Sequence, residues 1–208
     1  MSLTSLFEQH GIIGLEKQFL LEDLVEDRSF SIELEKGILQ FGNDLMFHIQ
    51  FIGNELIQSN QWFWAFNDLF AELPDSILEK SGMIYQTGIN EKIKSFKKPS
   101  FTLSRFKGLD LAKIVCGVCR ASAFFRAPIK EGASYFLIYS DLIKEKDKED
   151  LNYLTDVIDK FTTHHQMNHR NAIVHYLKRK GFSIEDLQDY INVLDEKKPK
   201  MEFHFDSH

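Results

Sequence analysis

Apolar and polar residues alternate with a period of two from Leu45 to Gly53. Leu45, Phe47, Ile49 and Phe51 fall on one side, and Met46, His48, Gln50 and Ile52 on the other. That alternation predicts a half-buried strand. A short polar connection leads to Gln61–Asn67, where Trp62, Trp64 and Phe66 share one face. At roughly 150–250 Å² for each large aromatic, this face needs a cover of helices, a second sheet or a ligand. Core packing is the ordinary fate of such residues. A ligand-stacking platform made by Trp62 and Trp64, with Asn67 at its end, is the functional alternative; Asn67 also suits a turn or cap.

The same patterns organise the rest of the chain. Phe7, Ile12, Leu15 and Phe19 recur at helical spacing within residues 2–27, and Gly11 and Gly14 are possible breaks. Phe30–Leu34 and Ile38–Phe41 alternate like strands, separated by the turn signal Lys36-Gly37. Together with the two central strands they predict an antiparallel meander. Pro74 to Ile93 and Gly108 to Ala121 read as helices, the second apolar nearly all round and therefore buried. Ala123–Arg126 and Ser134–Tyr139 form a hairpin, and Phe101–Leu103 a short strand.

Beyond residue 150 the spacing predicts helices. Leu151, Leu154, Ile158 and Phe161 mark one. Asn168 is placed to cap a second, ending at Gly181. Ser183–Asp186 resembles a capping box, with Leu187, Tyr190, Ile191 and Leu194 continuing a helical face. Met201–Phe205 reads as a final strand. No Gly/Ser/Pro-rich linker divides the chain. The expectation is one α+β domain over residues 1–208: an antiparallel meander sheet packed against helices. Its sheet core covers about 29–140, with a helical C-terminal region at about 150–195.

Composition narrows the function classes. The chain carries 25 basic and 31 acidic side chains, a formal charge of −6, which argues against binding a phosphate backbone. Its short lysine runs, Lys92–Lys98 and Lys197–Lys200, read as solvated loops. No apolar run reaches the ~20 residues of a membrane span. Two cysteines and no basic-then-apolar leader point to the cytoplasm. Nineteen phenylalanines furnish a large core. The expected partner is a small molecule or a protein, with no nucleic acid and no membrane, in a monomer or homodimer.

Candidate chemistry is sparse. Cys116 and Cys119 have C-x-x-C spacing, but they fall within the predicted helix, where a thiol gains little from the helix dipole. The densest histidine cluster runs from His164 to His175. His165 and His169 stand at i, i+4, a spacing that lets two imidazoles meet one zinc if a helix carries both, with His175 as a third ligand. Gln166 occupies the place where the zincin motif has its glutamate. The signatures G-x-S-x-G, G-x-x-x-x-G-K-[ST] and G-x-G-x-x-G are missing.

The segments Phe47-His48-Ile49-Gln50-Phe51-Ile52-Gly53 and Trp62-Phe63-Trp64-Ala65-Phe66-Asn67 resemble a bacterial family known only as a domain of unknown function. Phe66 stands where that pattern has a third tryptophan, and Asn67 follows it directly. The resemblance extends to the buried helix and to His169-Arg170-Asn171-Ala172-Ile173…Tyr176-Leu177. It implies a bacterial cytosolic protein and brings no activity or site residue. Two functions follow as expectations: a non-catalytic ligand- or protein-binding module, or a metal-dependent hydrolase using the His164–His175 cluster.

Overall fold

The computed structural model describes residues 1–187, 189–195 and 198–205; Lys197, within one of the predicted lysine runs, lies outside them. Helix α1 (Leu3–Val25) runs unbroken through both hydrophobic clusters of the core. Ser2 caps it, its side-chain oxygen accepting the Ser5 amide at 3.1 Å. The two glycines do not interrupt the helix. They are where neighbours come close: Gly11 meets the Phe161 ring, and a Cβ on Gly14 would lie 2.6 Å from the Cα of Lys113. Tertiary contact overrides their weak helix propensity.

Strands β1 (Phe30–Glu33), β2 (Ile38–Phe41), β3 (Leu45–Leu56) and β4 (Gln61–Trp64) form the predicted meander. Helix α2 (Asp75–Asn90) and the single turn α3 (Lys94–Lys97) precede β5 (Ser100–Thr102). Helix α4 (Gly108–Val118) leads to the hairpin of β6 (Ala123–Ile129) and β7 (Gly132–Ile138). Among the described residues these seven strands make one curled antiparallel sheet, and β3 is its shared member. β3 pairs with β2 at its start, with β4 at its end, and with β7 from Ile49 to Leu56.

A bulge in β3 determines where the later site is built. Its register against β7 shifts between Phe51 and Gly53, and Gly53 has φ +153°. Before the shift, Phe47, Ile49 and Phe51 pack into the smaller cluster. At the shift Ile52 turns to the larger one, beside Trp62 and Trp64. A bulge adds one residue and so moves every later side chain to the opposite face. It brings Glu55 to the side of Tyr135, among the helices.

Helices α5 (Leu151–His164) and α6 (His169–Arg179) follow as expected, Asn168 accepting the Asn171 amide at 3.0 Å as the cap of α6. Gly181 takes φ +88° after the helix, and Phe182 is buried beside it. The predicted helix on Ser183–Leu194 is corrected. The chain there forms β8 (Ser183–Asp186) and β9 (Tyr190–Asp195), joined by β10 (Lys198–His204) in a second antiparallel sheet. Ile191 and Val193, two residues apart, are both fully buried in the larger cluster. Pairing with Met201 and Phe203 decided the conformation, over a spacing that imitates a helix. Among the described residues, no helix is long and apolar enough to cross a membrane.

Candidate functional site

The aromatic face of β4 is filled by protein. Trp62 and Trp64 are both 0 % exposed. Their rings meet edge to face at 5.1 Å, and Tyr135 and Phe96 cover them at 5.3 and 5.4 Å. Trp64 Nε1 donates to the Ser95 carbonyl at 2.8 Å. A ligand stacking here would have to displace these side chains. Asn67 accepts the Leu69 amide at 3.0 Å and so caps a short 3-10 turn. It also lines a separate surface depression of about 360 Å³ with Phe66, Tyr85 and Lys97.

The histidines are divided among elements. α5 ends at His164, His165 follows in extended backbone, and His169 opens α6. The i, i+4 pair therefore straddles a loop, and the shared helical face that gave this spacing its meaning does not form. His169 Nε2 instead lies 2.6 Å from the His165 carbonyl. His175, further along α6, feels Glu8 and Lys178. Among the described residues, no three His, Cys, Asp or Glu side chains are grouped as a metal site. Cys116 and Cys119 are free and buried, and burial pushes both thiols up to about 12.

Of the predicted residues, His165 alone enters a cluster with chemical potential. Its partners come from the start of α4. Asp110 Oδ2 accepts the Lys107 amide at 3.0 Å, tying the carboxylate to the first turn. Three residues on, Lys113 returns over the same face. Its Nζ lies 3.4 Å from Asp110 Oδ1 and 3.4 Å from His165 Nε2, while His165 Nε2 and Asp110 Oδ1 are 3.9 Å apart. Burial lowers the Lys113 ammonium's pKa from its ordinary value, against the pull of Asp110. Burial, and then Lys113, lower that of His165. Phe7 and Phe161 hold the imidazole between them, with ring centres 4.9 and 4.7 Å away.

Two depressions adjoin the cluster, and Asp110, His164 and His165 line both. The larger, about 530 Å³, has an apolar wall of Leu15, Phe19 and Leu109 and a basic rim of Lys107 and Lys160, with Lys113 deeper in. The smaller, about 240 Å³, is bounded by Arg105, Phe106 and Met167. Arg105 is fixed by a hydrogen bond to the Gln166 carbonyl. Sequence reasoning missed Asp110 and Lys113; the signal that could have found them is Asp-x-x-Lys inside a helix otherwise apolar nearly all round, two charges that must be buried together.

The frame beneath the site is polar and satisfied. Glu55 Oε1 accepts the Gly108 amide at 2.9 Å, and Glu55 Oε2 accepts the Tyr135 hydroxyl at 2.7 Å. A carboxylate on a helix N-terminus is stabilised by the helix dipole. This one fixes the end of α4 that carries Asp110 and Lys113. On the far side of α1 a second large depression, about 590 Å³, is lined by His10, Arg120 and Arg179. Burial, with Arg179 and His175 nearby, holds the His10 imidazole down to about 4.

Residues 4–141 match the model of a family of unknown function, DUF6882. Neither the curated proteins nor the solved structures include a match.

Proposed function

The chain belongs to the DUF6882 family, whose function is unknown, and from that premise we propose that it is a binding module for a small organic anion with an apolar body. One observation carries this reading: apolar side chains and lysines line the same groove of about 530 Å³, with Lys160 Nζ 5.0 Å from the centre of the Phe19 ring. Small-molecule sites typically occupy roughly 300–1,000 Å³, mostly apolar with a few placed polar groups. The ligand's body would lie on Leu15, Phe19 and Leu109. Its anionic head would meet Lys113, Lys107 and Lys160.

Among the described residues, the carboxylate lining this groove is Asp110, already engaged by the Lys107 amide and by Lys113. Lys160 has its own partner in Asp156 at 2.7 Å, and the groove's three lysines still outnumber these two carboxylates, which favours an anion over a cation. A cytoplasmic location agrees with two free, buried cysteines. The hydrolase reading has less support, because His165, His169 and His175 do not converge.

Thermal unfolding in the presence of octanoate, phenylacetate, acetate and octylamine tests the proposal. Binding to the native state raises stability by about 2.7 kcal/mol at a hundredfold excess over Kd. Octanoate or phenylacetate should raise the melting temperature, and acetate and octylamine should not. Lys113→Met should abolish the rise. No shift with any of the anions, or an undiminished shift in folded Lys113→Met, would refute the assignment.

A further inference from the structure

We propose that Lys113 is a nucleophilic amine that condenses with the carbonyl group of a 2-oxo acid bound in the groove. This rests on the anion-binding reading and names the ligand class. Four features of the geometry carry it. The Lys113 side chain is 8 % exposed and lines the groove, so the lysine is largely desolvated yet borders the open space. Its acid partner is held at 3.4 Å, longer than a charge-assisted hydrogen bond, and half of that carboxylate is spent on the Lys107 amide. An imidazole nitrogen stands 3.4 Å from Nζ, in position to carry protons. The base of the lysine is fixed by the close approach of Gly14 to its Cα, which places the amine rather than leaving it on a free arm.

Burial disfavours the ammonium and so favours the neutral amine, whose lone pair would attack. The Nζ–carbon bond forms as the amine adds to the ketone carbon, and the carbonyl oxygen takes a proton to become a hydroxyl. The nitrogen gives up its protons through His165, the carbon–oxygen bond breaks, and one water leaves with the former carbonyl oxygen. The product is an imine, and no electron donor or acceptor is required. The carboxylate of the oxo acid would sit toward Lys107 and Lys160, and its substituent on the wall of Leu15, Phe19 and Leu109.

The test uses the full chain incubated with phenylpyruvate and then reduced with sodium borohydride, whose hydride converts the imine to a stable secondary amine. Peptide mass mapping should find the added mass of phenylpyruvic acid less one oxygen atom on Lys113. Exposed lysines such as Lys98 and Lys130 should stay unlabelled. The label should be lost in Lys113→Arg, with the fold checked by circular dichroism. The map on the unaltered chain needs no variant to fold. Label spread evenly over exposed lysines, or absent from Lys113, would overturn the proposal. Phenyllactate, which lacks the ketone, separates the two readings by thermal shift. If it binds while phenylpyruvate leaves no adduct, imine formation fails and anion binding stands. If neither compound binds or labels, both fail.

Discussion

Tyr135 on β7 donates its hydroxyl to Glu55 on β3 at 2.7 Å, and the other oxygen of that buried carboxylate accepts the first amide of α4. Sheet and helix are thus joined through one carboxyl group, and the helix so anchored carries Lys113. Burial and the neighbouring carboxylate hold the Tyr135 phenol well above its usual range, so it remains a donor at all ordinary pH. Tyr135→Phe leaves one carboxylate oxygen buried and unpaired, which costs about 1–3 kcal/mol. Urea midpoints should show that loss, and Glu55→Gln should cost less than Glu55→Ala, because the amide oxygen still accepts from Gly108. Equal losses for the two Glu55 variants would show that the helix cap contributes nothing.

His10 sets a pH term of defined sign. Its folded pKa of about 4 lies below the ordinary 6.5, so the unfolded chain binds the extra proton between those values. Stability rises with pH where the unfolded state binds more protons. The neutral imidazole therefore contributes fully above about pH 6.5, and that contribution is lost as pH falls through 4. Its ceiling is about 3 kcal/mol. Burial raises the carboxyl pKa of Glu16, which gives the opposite trend, so the informative quantity is the difference between the native chain and His10→Gln. From pH 7 to pH 4, stability should fall more steeply in the native chain; parallel curves would remove His10 as the cause.

The C-x-x-C pair should be inert. Thiols pushed up to about 12 hold almost no thiolate at neutral pH, and the thiolate is the reactive form. A colorimetric disulfide reagent at pH 8 should titrate neither cysteine in the native protein and both in denaturant. Rapid reaction of the folded protein would contradict the burial of Cys116 and Cys119.

The tryptophans and the groove should separate experimentally. Trp62→Ala removes a fully buried ring and should cost about 3–5 kcal/mol in urea unfolding. The milder Trp62→Phe should keep the octanoate thermal shift, because Trp62 does not line the groove at Lys113. Loss of binding in folded Trp62→Phe would return the aromatic face to consideration as a ligand platform.

Periodicity made most of the sheet legible: the alternation in residues 45–53 and the turn at Lys36-Gly37 are local signals for a local geometry. Asn168 and Gly181 marked the limits of α6 for the same reason. What depended on distant residues was not readable. Gly11 and Gly14 looked like breaks because the Phe161 ring and the Lys113 backbone that fill their space lie about a hundred residues or more away. Leu187, Tyr190, Ile191 and Leu194 imitate a helical face, while the strand partner that decides their state comes only with Lys198–His204. The site was obscured in a related way. His165 stands out in the sequence for its spacing to His169, yet its groove partners, Asp110 and Lys113, are more than fifty residues earlier, in a helix that reads as apolar nearly all round.

The family match ends at residue 141, and the groove crosses that limit. Lys107, Asp110 and Lys113 stand on the matched side; Lys160, His164 and His165 stand beyond it. Lys113 and the apolar wall of Leu15, Phe19 and Leu109 thus lie within the family match, while Lys160 and the two histidines at the groove's edge lie beyond it. Substitutions in residues 142–168 would alter that edge while Lys113 keeps its anchor on Glu55 through α4. One edge of the groove can therefore change without disturbing the turn of α4 that holds Asp110 and Lys113.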